Sequence, residues 1–284
     1  MDIGVVLVHY NQWELLLRCL QALGMSTAKS DLEIVIIDNA SRGMPAGAET
    51  LANEAFGGPV RLVRNRTNVG FGKACNQGAE LLGGKEAYLF LNPDIEVGQG
   101  MIEELGTYLG DNPDVGIVGP QLTYADGTVQ DSYRRFPRPF DQVLKRTPLH
   151  RSRLLRHRVR DYLMWDKDKD RTEDVDWLVG ACLLVRSEAW ETISGFDGRF
   201  FLFYEDVDLC RRVWLSGYRV VYHPQARALH RKERLSDGGI LSIFTKKTLR
   251  IHLASAMKYF WKWRGRRDQA ILNEVKDPSN KDSA

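Results

Sequence analysis

The run Ile3-Gly4-Val5-Val6-Leu7-Val8-His9 is apolar and largely β-branched, the pattern of a strand covered on both faces. Such a strand demands helices above and below its sheet, and the following segments supply them. Asn11 is placed to cap a helix over Trp13 to Leu23, closed by Gly24. Leu32 to Ile37, Val60 to Arg64, Ala87 to Leu91 and Val115 to Val118 read as further strands. Thr50 to Phe56, Gly72 to Leu82 and Met101 to Leu109 read as helices between them. This β-α-β-α order predicts an α/β fold with a doubly wound, mostly parallel central sheet, flanking helices and right-handed crossovers.

In such sheets ligands bind beyond the carboxyl ends of the strands. Polar residues collect at four successive ends: His9, Tyr10 and Asn11; Asp38, Asn39 and Ser41; Asn65, Asn68 and Gly70; Asn92 and Asp94. One such cluster is ordinary turn chemistry; four in a row predict a site. No GxGxxG follows the first strand, which disfavours a nicotinamide or flavin domain, and no GxxxxGK[ST] occurs. The glycine-rich start of sugar nucleotidyltransferases is missing too. A hard divalent cation on Asp94 is the natural means of holding a diphosphate here.

The segment Phe201-Leu202-Phe203-Tyr204-Glu205-Asp206-Val207-Asp208 sets three carboxylates against an aromatic run. Crowded, poorly hydrated carboxyls repel one another, so one can hold a raised pKa and serve as a general base. The same acids also suit the positive end of a helix over Asp208 to Ser216. Local sequence leaves both readings open.

A net charge of +3 does not argue for nucleic acid, but the charge is unevenly spread. Arg134, Arg135, Arg138, Lys145, Arg146, Arg151, Arg153, Arg156, Arg158 and Arg160 form one basic stretch, with Asp141 its only acid, and Lys246 to Arg267 forms another. These are either solvated faces or surfaces for anionic partners. Cys19, Cys75, Cys182 and Cys210 show no CxxC spacing, which fits a reducing compartment. The opening Met1-Asp2 leads to the expectation of no signal peptide, and no apolar run approaches the length of a membrane span.

The segments Val5 to Asn11, Ile37 to Ser41, Asn68 to Asn76, Leu91 to Asp94, Asp176 to Arg186 and Gly195 to Asp208 together resemble the family-2 inverting glycosyltransferases of GT-A fold, nearest to bacterial rhamnosyltransferase-type enzymes. The resemblance covers roughly residues 3 to 231. It implies transfer of a sugar from a nucleotide-sugar donor, dTDP-rhamnose first and UDP-sugars as alternatives, to a lipid-linked saccharide of bacterial cell-surface polysaccharide. It implies donor binding by His9, Tyr10, Asn11, Asp38, Asn39, Asn68, Gly70, Asn76 and Asn92, with Asp38 at the nucleoside. It implies Mg²⁺ or Mn²⁺ on Asp94 and His230. The family's acidic Asp-x-Asp is Asn92-Pro93-Asp94 here, one negative charge fewer. Asp206 resembles the catalytic base, with Glu205 its rival or acceptor contact, and Trp177, Gly180 and Ala181 would line the acceptor site.

Residues 1–235 are read as one GT-A catalytic domain, 236–267 as a helical basic extension and 268–284 as a polar tail. Tyr259-Phe260-Trp261-Lys262-Trp263-Arg264 mixes aromatics with bases, as a membrane interface requires. The expectation is peripheral contact with an anionic surface on the inner, cytoplasmic face of the cell membrane, with packing on the catalytic domain as the alternative. Two rivals keep the fold: a non-catalytic saccharide- or membrane-binding protein, and a sugar nucleotidyltransferase.

Overall fold

The computed structural model describes residues 1–26, 32–139, 141, 153–231 and 247–264. The first half alternates as the apolar pattern requires: β1 (Ile3–His9), α1 (Trp13–Ser26), β2 (Leu32–Asp38), α2 (Ala48–Phe56), β3 (Arg61–Arg64), α3 (Phe71–Leu82), β4 (Ala87–Leu91), β5 (Ile95–Val97), α4 (Met101–Asp111) and β6 (Val115–Thr123). Then follow β7 (Tyr133–Arg134), α5 (Arg153–Tyr162), β8 (Glu173–Asp174), β9 (Trp177–Leu178), β10 (Cys182–Arg186), α6 (Ser187–Thr192), α7 (Glu205–Leu215), β11 (Arg219–His230) and α8 (Lys247–Lys262).

The main sheet runs β3-β2-β1-β4-β10-β6-β11-β5, with β8 also on β11. Its first four strands are parallel. β10 then inserts antiparallel between β4 and β6, so the second half is mixed. Strand side chains alternate between two cores. Val5, Leu7, Ile34, Ile36, Leu89 and Leu91 meet Leu16, Leu20, Phe56 and Leu105 on one face. Val6, Val8, Val35, Ile37 and Phe90 meet Ala74, Cys75, Val207, Trp214 and Tyr259 on the other. All four cysteines are free and buried.

Of the boundaries that differ from the sequence reading, three bear on the packing and the site. α1 runs through Gly24 to Ser26, because that glycine is needed for contact and not for termination: a Cβ there would lie 2.1 Å from the Phe56 carbonyl oxygen. α7 begins at Glu205, three residues before the expected Asp208, so Glu205 and Asp206 both sit in its first turn. The helix expected over Ile240 to Arg267 is seen as Lys247–Lys262, and the remainder of that expectation lies outside the described residues, as does the polar tail.

The C-terminal helix packs on the catalytic core. Tyr259 and Trp263 are buried with α7, and the hydroxyl of Tyr259 accepts from Arg211 Nη1 at 2.8 Å. Asp208, wholly buried, accepts from Arg212 Nε at 2.8 Å, Lys262 Nζ at 2.6 Å and Trp263 Nε1 at 2.9 Å. The outer face of α8 still exposes Leu253, Met257 and Trp261, one turn apart, beside Arg250, Lys258 and Arg264. None of the described helices is long and apolar enough to cross a membrane.

Candidate active site

The parallel strands end together, and their last residues build one wall of a cleft. His9 pairs with Asp38 across β1 and β2. Asp38 is fully buried; its Oδ1 accepts the Ser41 N–H at 3.0 Å and its Oδ2 lies 3.1 Å from Arg64 Nε. Arg64 also donates to the Ser41 carbonyl at 2.8 Å, closing the loop around the carboxylate. His9 is buried with neither ring nitrogen hydrogen-bonded, and burial pushes its imidazole below the ordinary value while the charge of Asp38 opposes this. Asn11, held in the left-handed region at φ 54°, accepts the Arg42 N–H and donates its own N–H to Ser41 Oγ. Tyr10 is 47% exposed at the rim.

Several predicted donor contacts are used up inside the protein. Asn39 is buried: its Nδ2 donates to Asn68 Oδ1 and the Gly70 carbonyl, and its Oδ1 accepts from Val69 N–H. Asn68 Oδ1 also accepts from Gly70 N–H. Asn76 holds both the N–H and the carbonyl of Phe196, each at 2.9 Å. Gly70, at φ 91°, makes its close approach to the backbone of Phe201, whose carbonyl oxygen would lie 2.5 Å from a Cβ. These four residues thus scaffold the loops at the strand ends: amides are good at bridging loops because each offers donors and acceptors together.

The antiparallel pairing of β5 with β11 sets His230 opposite Ile95, beside Asp94. His230 is buried, and Gln130 Oε1 lies 2.8 Å from its Nδ1. That acceptor takes the Nδ1 proton, and Nε2 lies 3.2 Å from Asp94 Oδ2; in the neutral tautomer a lone pair of Nε2 faces that carboxylate. Asp94 Oδ1 is buried with no hydrogen-bond partner. Two electron-rich atoms turned toward each other, with a third unsatisfied, are what a divalent cation would neutralise, so Asp94 and His230 fit that role. Among the described residues no group of three or more His, Cys, Asp or Glu side chains is placed to hold a metal ion, so the remaining oxygen ligands would come from outside this set. Asn92 is half-buried, with its N–H donating to the Ala181 carbonyl at 2.9 Å.

The second half of the cleft is built around Glu205 and Asp206. Two consecutive residues ahead of them, Phe203 (φ 68°) and Tyr204 (φ 67°), are left-handed without being glycine. This strained turn is clamped by the rings of His252 and Tyr259 from α8, at 4.9–5.5 Å. Asp206 Oδ2 accepts the Gly180 N–H at 3.0 Å and Oδ1 accepts its neighbour Val207 N–H at 2.9 Å. Burial raises the pKa of both carboxyls. Glu205 is pushed further, because it feels the charge of Asp206 and its Oε2 is buried without a partner. Backbone N–H groups and Arg134 hold Asp206 back toward the ionised form. The two backbone N–H groups on Asp206, against an unpartnered Glu205 Oε2, favour the charge on Asp206.

The residues expected to line the acceptor site make contacts within the protein. Trp177 is 3% exposed, donates its indole N–H to the Arg135 carbonyl, and carries the Arg134 guanidinium 4.9 Å above its ring. Gly180 makes room for Asp206, whose Cβ would be 3.1 Å from a Cβ at that position. Ala181 is buried and holds Asn92.

Compared with known proteins, residues 4–170 match the model of glycosyl transferase family 2, and residues 144–268 match glycosyl transferase family group 2. The chain belongs to glycosyl transferase family 2. Like other glycosyltransferases it is an enzyme of sugar transfer. This family 2 transferase is 31% identical over 251 residues to N-acetylglucosaminyl-diphospho-decaprenol L-rhamnosyltransferase of Mycobacterium tuberculosis, covering 80% of this chain and 75% of that one. It is 36% identical to rhamnosyltransferase WbbL of Escherichia coli over 85 residues, 30% of each chain. In fold it is similar to GalNAc-T7 solved with UDP, GalNAc and Mn²⁺ (TM-score 0.64, 18% identity), spanning 84% of this chain and 45% of that one. It is also similar to the mannosyltransferase PcManGT of Pyrobaculum calidifontis solved with GDP-Man and Mn²⁺ (TM-score 0.58, 17% identity), spanning 100% of this chain and 76% of that one. The GT-A fold expected from the motifs is the fold found.

The family 2 transferase also has site residues that sequence reasoning missed. Arg64 ends β3, so the strand-end rule that found Asp38 could have found it. Gln130 lies between Val129 and Asp131 with no local signal. Arg134 was visible only as one member of a basic stretch. Within that stretch Arg135 and Arg138 pair with Asp161, and Arg158 pairs with Asp141.

Proposed function

We propose that this chain is a metal-dependent, inverting transferase that moves a hexose from a nucleotide-sugar to a hydroxyl of a lipid-linked saccharide. The observation that carries the proposal is one dipeptide. The Gly180 N–H binds the carboxylate of Asp206, and the Ala181 carbonyl binds the N–H of Asn92, two residues before Asp94. The base and the diphosphate side of the cleft are thus held by adjacent residues.

The nucleoside lies against Asp38, in the loop that Asn11, Ser41 and Arg64 close. Asp94 and His230 would hold a divalent cation, which when bound neutralises the donor diphosphate as it leaves. Asp206 takes the proton of the acceptor hydroxyl as that oxygen attacks the anomeric carbon from the opposite face. The bond from this carbon to the diphosphate oxygen breaks, and its electron pair leaves with the nucleoside diphosphate. Attack opposite to departure inverts the anomeric centre. The two rhamnosyltransferase relatives support dTDP-rhamnose as donor, and the name of the mycobacterial one supports an acceptor of the diphospho-polyprenol class. The exposed strip Leu253, Met257 and Trp261, flanked by bases, supports contact with the anionic inner face of the cell membrane.

The test is transfer of rhamnose from dTDP-rhamnose to a lipid-linked saccharide, with and without Mn²⁺, by wild type and Asp206→Asn. Loss of a positioned base predicts about 10²–10⁴-fold slower transfer with donor binding retained. Wild-type transfer that is indifferent to chelation, or an unimpaired Asp206→Asn, would defeat the reading.

A further inference from the structure

The two faces of α8 meet different things. The inner face grips the turn that carries Asp206. Ser255, buried, donates its hydroxyl to the Leu202 carbonyl at 2.8 Å. The rings of His252 and Tyr259 flank Tyr204 at 5.5 and 5.2 Å. Lys258 Nζ donates to the Arg199 carbonyl at 2.9 Å, and Lys262 Nζ bridges Asp197 and Asp208 at 2.7 and 2.6 Å. On its other side the turn is tied to the donor wall, where the Phe71 N–H donates to the Phe201 carbonyl at 2.9 Å. Between these two supports lie the left-handed Phe203 and Tyr204. Such residues keep their conformation only while their surroundings over-determine it.

The outer face is apolar and exposed. Leu253, Met257 and Trp261 are 38%, 68% and 62% exposed along one line of the helix, and the Arg264 guanidinium lies 4.9 Å over the Trp261 ring. Arg250 and Lys258 are exposed beside them, and α8 contains no acid between Lys247 and Lys262. Apolar side chains framed by bases alone complement an anionic lipid surface: the former enter the acyl boundary and the latter meet headgroup phosphates. Only the formed helix presents that line, and only the formed helix grips the turn. A surface that binds the outer face therefore favours the gripped turn, and the linkage is reciprocal. We propose that an anionic bilayer docked on Leu253, Met257 and Trp261 activates transfer by holding the Asp206 turn in place. The lipid is then an effector as well as an anchor, and the base is set where a lipid-linked acceptor lies. This inference rests on the membrane and transferase readings, and adds to them that the surface acts on the base.

The experiment uses the full chain, a soluble acceptor analogue without a lipid tail, and vesicles of phosphatidylcholine alone or of phosphatidylcholine and phosphatidylglycerol in equal parts. Two readouts are taken on each variant with and without vesicles: the rate of transfer, and hydrogen exchange of the backbone amides from Leu202 to Asp206. In wild type, anionic vesicles slow exchange in the turn and raise the rate at least about fivefold, and neutral vesicles do neither. With Leu253→Ser, Met257→Ser and Trp261→Ser combined, both effects vanish together with flotation. With Ser255→Ala and His252→Leu combined, the chain still floats with anionic vesicles but the turn no longer responds; Ser255→Ala alone, with a diminished response, replaces that pair if it does not fold. Wild type that floats with anionic vesicles while rate and exchange stay as they were overturns the proposal and leaves the membrane reading standing. An equal effect of neutral vesicles, or an undiminished response in the inner-face variant, overturns it too. Wild type that does not float ends both this inference and the membrane reading. If no sugar is transferred under any condition, the transferase reading fails by itself, and exchange in the turn still decides whether the surface acts on it.

Discussion

Replacing Asp208 with alanine should destabilise the fold by about 3 kcal/mol. The carboxylate is wholly buried in the first turn of α7 and is shared by Arg212, Lys262 and Trp263 at 2.6–2.9 Å. Removing one partner of a buried pair costs roughly 3–5 kcal/mol, because the other charge stays behind without compensation. The lower end applies here: Lys262 keeps Asp197 at 2.7 Å, and Arg212 keeps the Ile193 carbonyl at 2.7 Å. For a chain of this size, a loss of that order lowers Tm by about 6–12 °C. Asp208→Asn should lose roughly half as much, since its amide oxygen still accepts from Trp263. Thermal and urea unfolding of the full chain measure both. Transfer, assayed well below Tm, should also fall in Asp208→Ala, since α8 holds the turn that presents Asp206. A Tm within about 2 °C of wild type would refute the argument, for it would mean that α8 does not close on Asp208 in solution.

Gln130→Leu should weaken Mn²⁺-dependent donor binding by about 10–100-fold with little change in stability, because His230 loses the acceptor that fixes its tautomer; calorimetric titration reads it. Glu205→Gln should raise Tm at about pH 8 and give no gain at about pH 4. The folded pKa of Glu205 lies above its ordinary 4.5, so its contribution to stability is complete below that value and is lost as pH rises through the folded one. The glutamine has no such loss, and a gain that grew on acidification would contradict the assignment. Leu253→Ser combined with Met257→Ser and Trp261→Ser should abolish co-flotation with anionic vesicles while transfer to a soluble acceptor analogue persists; unchanged flotation would remove α8 from the membrane reading.

Much of the fold was legible because buried strands announce themselves. Ile3 to His9 and Leu32 to Ile37 are apolar on both faces, and each ends at polar residues that mark the cleft. Asp94, His230 and Asp206 were singled out through the family resemblance, and the fold sets Asp94 beside His230. What could not be read was the direction in which side chains turn. Asn39, Asn68 and Asn76 read as donor contacts in the sequence, and only the fold shows that their amides also bridge loops rich in unpaired backbone groups. Trp177 looked like a sugar platform because stacking is indifferent to whether the partner is a ring or a guanidinium. Asp208 looked like a helix-dipole residue, and it is one, but its partners Lys262 and Trp263 are more than 50 residues away in sequence. No local pattern records such a pairing.

The left-handed pair Phe203 and Tyr204 has a consequence for the order in which the protein is made. Each such residue costs on the order of 1–3 kcal/mol and persists only where its surroundings over-determine it. Part of those surroundings is His252 and Tyr259, which leave the ribosome some 50 residues after the turn they clamp. The sheet, with Asp38 and Asp94 already at its strand ends, can form while that clamp is still being synthesised. The turn carrying Asp206 lacks that part of its support until the clamp arrives. A nascent chain therefore passes through a stage with its donor wall built and its base unset, and becomes competent for transfer only when the last described helix closes on the turn.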